Sequence, residues 1–173
     1  LPTGAGKTIL AVMLIARIGR PTLIHVPTID LMGQWNAVLN EYFDIKIGLL
    51  GGGVNDIQLI TVATYDSALL HVPYRGDQFG LLVFDECHHL PGEQFKFTAL
   101  GSIAPFRLGL TATPERSDGK EKVLYELCGP LCYETHIDEL SGKTLAPYLV
   151  KTIEVEMLPE DREQYEISRK CYT

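Results

Sequence analysis

Short apolar runs bounded by turn-forming residues alternate along this chain with stretches in which apolar positions recur at helical spacing. That alternation is the signature of a parallel sheet covered on both faces by helices. The spacing predicts a helix from Lys7 to about Ile18, with Ile9, Val12, Met13 and Ala16 on one face, and then a strand from Thr22 to Val26. Thr28 suits an N-cap and opens a second helix through Trp35 to about Tyr42. Ile45 to Leu50 and Ile57 to Val62 read as strands around a turn at Gly51, Gly52 and Gly53, and Tyr65 to His71 as a short helix. Leu81 to Phe84 is wholly apolar, as a central parallel strand is. Past Pro91, a helix near Gln94 to Leu100 leads to a strand from Arg107 to Thr111. A helix from Lys120 to Leu127 follows, stopped by Gly129 and Pro130. Beyond Tyr133 the character changes. His136 to Leu140 reads as a helical turn, Leu149 to Met157 as a strand, and Pro159 to Tyr172 as a charged helix.

A length of 173 residues with 46% hydrophobic content suffices to bury one full core. The apolar run of the first helix is cut by Arg17 and is far too short to span a membrane, so no transmembrane segment is expected. The net charge of −7 speaks against a general polyanion-binding surface. It still allows nucleic acid in a groove lined by backbone amides and a few basic side chains. The 4 cysteines, irregularly spaced, read as reduced thiols of an intracellular protein. Zinc would need two ligand pairs at short spacing. Cys128 and Cys132 offer one, and Cys87 stands beside His88 and His89 without a second cysteine pair. The chain opens inside a functional loop, and a fragment of a longer protein is expected.

That loop is Leu1 to Thr8, LPTGAGKT. A glycine-rich turn before a helix presents backbone N–H groups and a helix N-terminus to phosphate oxygens. Thr3, Gly4, Ala5 and Gly6 would cradle the phosphates, Lys7 would neutralise the terminal ones, and the Thr8 hydroxyl would bind magnesium. One position departs from the pattern G-x-x-x-x-G-K-T, since Leu1 stands where glycine is usual. At the end of the apolar strand, Asp85 is placed to hold magnesium through water, and Glu86 to orient and deprotonate the attacking water. His88 is then a sensor or coupling residue at the cleft. Thr111 and Thr113 come from another strand end on the same edge and would link the nucleotide site to a neighbouring surface, although threonines there are usually strand formers or caps.

LPTGAGKT, VPTIDLMGQW, TVATYDSA, DECHH and LTATP resemble motifs I, Ia, Ib or Ic, II and III of superfamily 2 DEAD/DEAH-type helicases, in the right order and spacing. The segments LGLTATPERSDGK, GPLCYETHIDEL and YLVKTIEVEMLP look most like the XPB-like DNA repair and transcription helicases. The resemblance implies a RecA-like P-loop NTPase domain over residues 1–134, the first of two such motor domains. Residues 135–173 then connect toward a second RecA-like domain, with ATP and Mg2+ in the cleft. It also implies backbone contacts to nucleic acid from Pro27 and Thr28, Gln34, Thr64 with nearby Tyr65, and Arg116. Thr28 also serves as a plain N-cap, and Gln34 and the only tryptophan, Trp35, are of residue types more often used for packing. The XPB-like Arg-Glu-Asp element aligns with Arg116, Ser117 and Asp118, without its central acid, so ATP-driven translocation is the firmer implication than duplex opening.

The function implied is an ATP-dependent DNA helicase or translocase, with DNA as track in preference to RNA and no membrane partner. Without the second domain's arginine finger, the isolated chain is expected to hydrolyse ATP poorly. Two alternatives stand beside it. One is the motor portion of a restriction endonuclease; the other is a nucleotide-gated clamp or remodelling module that does not translocate. The compartment implied is intracellular, the cytoplasm in a prokaryote or virus and the nucleus in a eukaryote.

Overall fold

A computed structural model of the chain describes residues 5–112, 121–135, 153 and 159–171. The elements in chain order are α1 (Lys7–Ile18), β1 (Thr22–Val26), α2 (Ile29–Tyr42), β2 (Ile47–Gly51), β3 (Val54–Asp56) and β4 (Ile60–Thr64). They continue with α3 (Tyr65–Arg75), β5 (Leu81–Asp85), a 3-10 turn (Cys87–His89), α4 (Lys96–Leu100), β6 (Phe106–Leu110), α5 (Glu121–Cys128) and α6 (Pro159–Cys171). The strands form one six-stranded sheet in the order β3-β2-β4-β1-β5-β6. All its pairings are parallel except β2 with β3.

Side chains on a strand alternate between faces, and here the alternation sorts the core into two layers. Ile24 and Val26 of β1, Ile60 and Val62 of β4, and Leu81 and Val83 of β5 pack with Ala11, Val12 and Ile15 of α1 and with Met32, Trp35 and Leu39 of α2. The intervening Leu23, Ala63, Leu82 and Phe84 face Tyr65, Ala68 and Val72 of α3, Ala99 of α4, and Leu124 and Leu127 of α5. Thus β1, β4 and β5 are buried on both faces, which explains why apolar residues predominate in them, with Thr22, His25, Thr61 and Thr64 as buried polar exceptions and Asp85 at the end of β5. Each fully buried large aliphatic side chain in these layers contributes about 1.5–3 kcal/mol.

Three expectations shift. The buried stripe of α1 is Ala11, Val12 and Ile15, whereas Met13 is 65% exposed and Ile9 and Ala16 lie toward solvent. The helix is apolar nearly all round, so periodicity alone does not select the face. After the glycine turn the chain first makes the short antiparallel edge strand β3, mostly exposed, and only then enters β4 on the opposite side of β2. The turn is built on left-handed Gly52 and Gly53, conformations that glycine alone adopts readily. Helix α3 runs past Pro73 to Arg75, because Pro73 is exposed and the Gly76 amide closes the last turn on the Val72 carbonyl. The expected turn at 136–140 and most of the expected strand at 149–157 lie outside the described residues.

Beyond β6 a largely apolar groove of about 780 Å³ opens between α1, β6, α5 and residues 130–135. Gly109 of β6 lies where a Cβ would come 3.0 Å from the Cys87 sulfur and 3.3 Å from that of Cys128, so a side chain there would displace both. The two thiols are pushed up to about 12, chiefly by burial, and are unreactive. Among the described residues there is no cluster of His, Cys, Asp or Glu suited to a metal; Cys87 is buried, Cys128 partly buried and Cys132 exposed. No described helix is long and apolar enough to cross a membrane.

Candidate active site

Parallel register brings the strand ends to one edge of the sheet. Val26 pairs with Thr64, His25 with Phe84, and Asp85 with Leu110. Pro27 and Thr28, Tyr65, Glu86 and Thr111 therefore all follow directly from neighbouring strand ends. In an open parallel sheet this carboxyl edge is where ligands bind.

Helix α1 starts at the same edge. Gly6 is its N-cap in the left-handed conformation (φ 85°), and having no side chain it leaves the first turn without a side-chain cap. A helix start of this kind offers backbone N–H groups and a partial positive charge to an anion. Ala5, Gly6, Lys7 and Thr8 are in place there, while Thr3 and Gly4 lie outside the described residues. The Lys7 ammonium reaches Glu86 Oε1 at 3.4 Å, with only 11% of the lysine side chain exposed.

Glu86 is the only non-glycine among the described residues with a positive φ, at 47° with ψ 51°. That left-handed turn costs about 1–3 kcal/mol. It swings the carboxylate out of the strand line into the space between Lys7 and His88. Glu86 Oε2 is 3.4 Å from His88 Nδ1, which in turn lies 3.0 Å from the Thr111 hydroxyl. Lys7, Glu86, His88 and Thr111 thus form one continuous polar chain across α1, β5 and β6. His89 is exposed and packs its ring against His88 at 4.2 Å between centroids.

Asp85 has the strand parity of Leu81 and Val83, which turns its side chain toward α1 and α2. It is 7% exposed, and burial raises its pKa, opposed by a hydrogen bond from Trp35. The Trp35 indole N–H donates to Asp85 Oδ2 at 2.8 Å, and the Glu86 amide donates to Oδ1 at 3.0 Å. The Tyr65 hydroxyl donates to the Asp85 backbone carbonyl at 2.9 Å. Burial holds the Tyr65 phenol well above its ordinary pKa, so it remains a donor. A carboxylate oxygen accepts more than one hydrogen bond, so each Asp85 oxygen keeps capacity for a metal-bound water. Thr8, in the first turn of α1, and Asp85, at the end of β5, carry hard oxygen donors of the kind that suit Mg2+ held partly through water.

Residues 1–116 match the family described as "Type III restriction enzyme, res subunit". The chain belongs to this family of superfamily 2 helicase domains. It is 46% identical over 170 residues to the DNA 3'-5' translocase XPB2 of Sulfurisphaera tokodaii, covering 98% of this chain and 39% of that protein. It is 38% identical over 135 residues to the putative DNA 3'-5' helicase Rad25 of Halobacterium salinarum, covering 74% of this chain and 22% of that protein. The fold is that of the UvsW helicase from bacteriophage T4, with a TM-score of 0.65 at 22% identity over 75% of this chain and 51% of that one. The superfamily 2 and XPB-like resemblance and the RecA-like fold are borne out. The helicase domain spans 39% and 22% of the two curated relatives' lengths.

Other residues of the helicase domain named for nucleic acid have varied positions. Thr28 is exposed, and its hydroxyl accepts from the Leu31 amide at 3.2 Å, a working N-cap. Thr64 is 7% exposed; its hydroxyl accepts from the Ser67 amide at 3.3 Å and donates to the Ser67 hydroxyl at 2.9 Å. Pro27 is half-buried and Gln34 exposed on α2. Thr113 and Arg116 lie outside the described residues. Sequence reasoning assigned no role at the acidic pair to Trp35 or Tyr65. The signal for Trp35 was its helical spacing from Met32 and Leu39, which turns it to the face that Asp85 shares by strand parity.

Proposed function

We propose that this domain is the ATP-binding half of a DNA-stimulated helicase or translocase motor. The observation that supports this most is the polar chain Lys7–Glu86–His88–Thr111, which joins the phosphate-loop helix to two neighbouring strand ends. In this reading the amides of Thr3 to Thr8 cradle the phosphates of ATP, and the Lys7 ammonium leaves Glu86 for the γ-phosphate. Magnesium, when bound, neutralises phosphate charge, and Thr8 and Asp85 would hold it. The released Glu86 carboxylate orients the attacking water and takes its proton. His88 senses the change at Glu86 and passes it to Thr111 and, through the next residues, to Thr113. Pro27, Thr28, Gln34, Thr64 and Arg116 contact the nucleic-acid backbone, which supplies grip without reading sequence. Both curated relatives are named for work on DNA, which supports DNA as the track.

Residues 1–134 act as the first RecA-like domain and 135–173 lead toward a second one, which completes the ATP cleft with an arginine. The test is ATP turnover by the whole parent polypeptide without nucleic acid and with single-stranded DNA, duplex DNA or RNA. Strong stimulation by DNA, lost in Glu86→Gln, is the expected result. Turnover that no nucleic acid changes would overturn the motor reading.

A further inference from the structure

The two helices whose N-termini face the proposed nucleic-acid track each send one aromatic side chain to the same acidic residue. Helix α2 begins after Thr28, and Trp35, about two turns along at roughly 10 Å, donates to the Asp85 carboxylate. Helix α3 begins after Thr64, and its first residue, Tyr65, donates to the Asp85 backbone carbonyl. Trp35 is 2% and Tyr65 1% exposed, so both groups are packed rigidly and shielded from water. Asp85 is therefore gripped at its side chain by one helix and at its main chain by the other. A shift of either helix start has to move Asp85 or break a buried hydrogen bond.

We propose that Trp35 and Tyr65 are positioning residues that set Asp85 for magnesium and transmit nucleic-acid engagement from the starts of α2 and α3 to it. The inference rests on the motor reading and deepens it: it names the route by which the track stimulates hydrolysis. Partners that orient a metal ligand typically change metal affinity by about 10–100-fold when removed. Coupling between two sites typically amounts to about 5–150-fold.

The test uses the whole parent polypeptide. Tyr65→Phe removes only a hydroxyl. At position 35, benzothienylalanine keeps the bicyclic shape without an N–H donor, and tryptophan reintroduced by the same route is the rescue control. A Trp35→Phe variant complements these. The readouts are nucleotide affinity with Mg2+ and with a chelator, DNA affinity without nucleotide, and the ratio of DNA-stimulated to unstimulated turnover. Loss of the indole N–H is expected to weaken nucleotide binding about tenfold in Mg2+ and less than twofold in chelator. Both single changes are expected to lower the stimulation ratio about fivefold or more, with DNA affinity within twofold. A wild-type ratio in the benzothienylalanine and Tyr65→Phe proteins, or equal losses of nucleotide affinity with and without Mg2+, would overturn the inference. A wild-type protein that DNA does not stimulate overturns the motor reading and this inference together. Stimulation that survives undiminished in the variants overturns only the inference.

Discussion

Asp85 and His25 are buried ionisable groups near the ends of adjacent strands, and burial works against the charged form of each. Their surroundings differ. Asp85 has both carboxylate oxygens hydrogen-bonded and stands at the strand end, beside the left-handed turn that presents Glu86 to Lys7. His25 stacks on Phe84 at 4.5 Å, donates from Nδ1 to the Val83 carbonyl at 3.2 Å, and leaves Nε2 without a hydrogen-bond partner. One group is held polar and aligned at the edge where chemistry is expected. The other is held neutral inside the sheet. The lesson is that burial alone does not mark a site; aligned partners and access at a strand end do.

Changes at the edge should therefore lower activity with little loss of stability, and changes in the interior the reverse. The largest effect is expected from Glu86→Gln in the parent polypeptide, with turnover falling about 10²–10⁴-fold. Its melting temperature should stay near wild type, because Glu86 is only partly buried; a large fall in melting temperature would blur the contrast. Next, Phe84→Ala should cost about 3–5 kcal/mol by denaturant titration, since a fully buried ring leaves a cavity.

A third test uses pH. Burial lowers the His25 pKa from 6.5 to about 4, so between those values the unfolded chain takes up a proton that the folded chain refuses. Stability should rise with pH through that window and be fully present above 6.5. On acidification from 6.5 to 4 it should fall by about 3 kcal/mol from this group. Comparing denaturation midpoints of wild type and His25→Phe over that range should show this slope removed in the variant. The smallest effect is expected from Thr28→Ala, about 1 kcal/mol from the lost cap, read by thermal melting. A loss of DNA affinity beyond what that destabilisation explains would give Thr28 a second role at the track.

Much of this molecule was legible in its sequence. The central strand Leu81 to Phe84 was readable because burial on both faces favours an unbroken apolar run, and β1 and β4 because apolar residues still dominate around their buried Thr and His side chains. The helix start at Lys7 was readable because a glycine there can take the left-handed turn that leads into the helix. The face of α1 was not, since a helix apolar all round carries no directional signal and only its neighbours decide which side is covered. The short strand β3 was missed for a related reason: its residues are largely exposed, so no burial pattern is written into them.

By itself, then, the sequence determined the order of elements, the parallel sheet and the chemical types gathered at its carboxyl edge, because local spacing and hydrophobicity suffice for those. Tertiary structure alone decided who touches whom across long separations. Trp35 meets Asp85 fifty positions away, and Lys7 meets Glu86 at a separation of 79. Such pairs depend on strand parity, sheet order and helix rotation acting together, and no local pattern encodes all three.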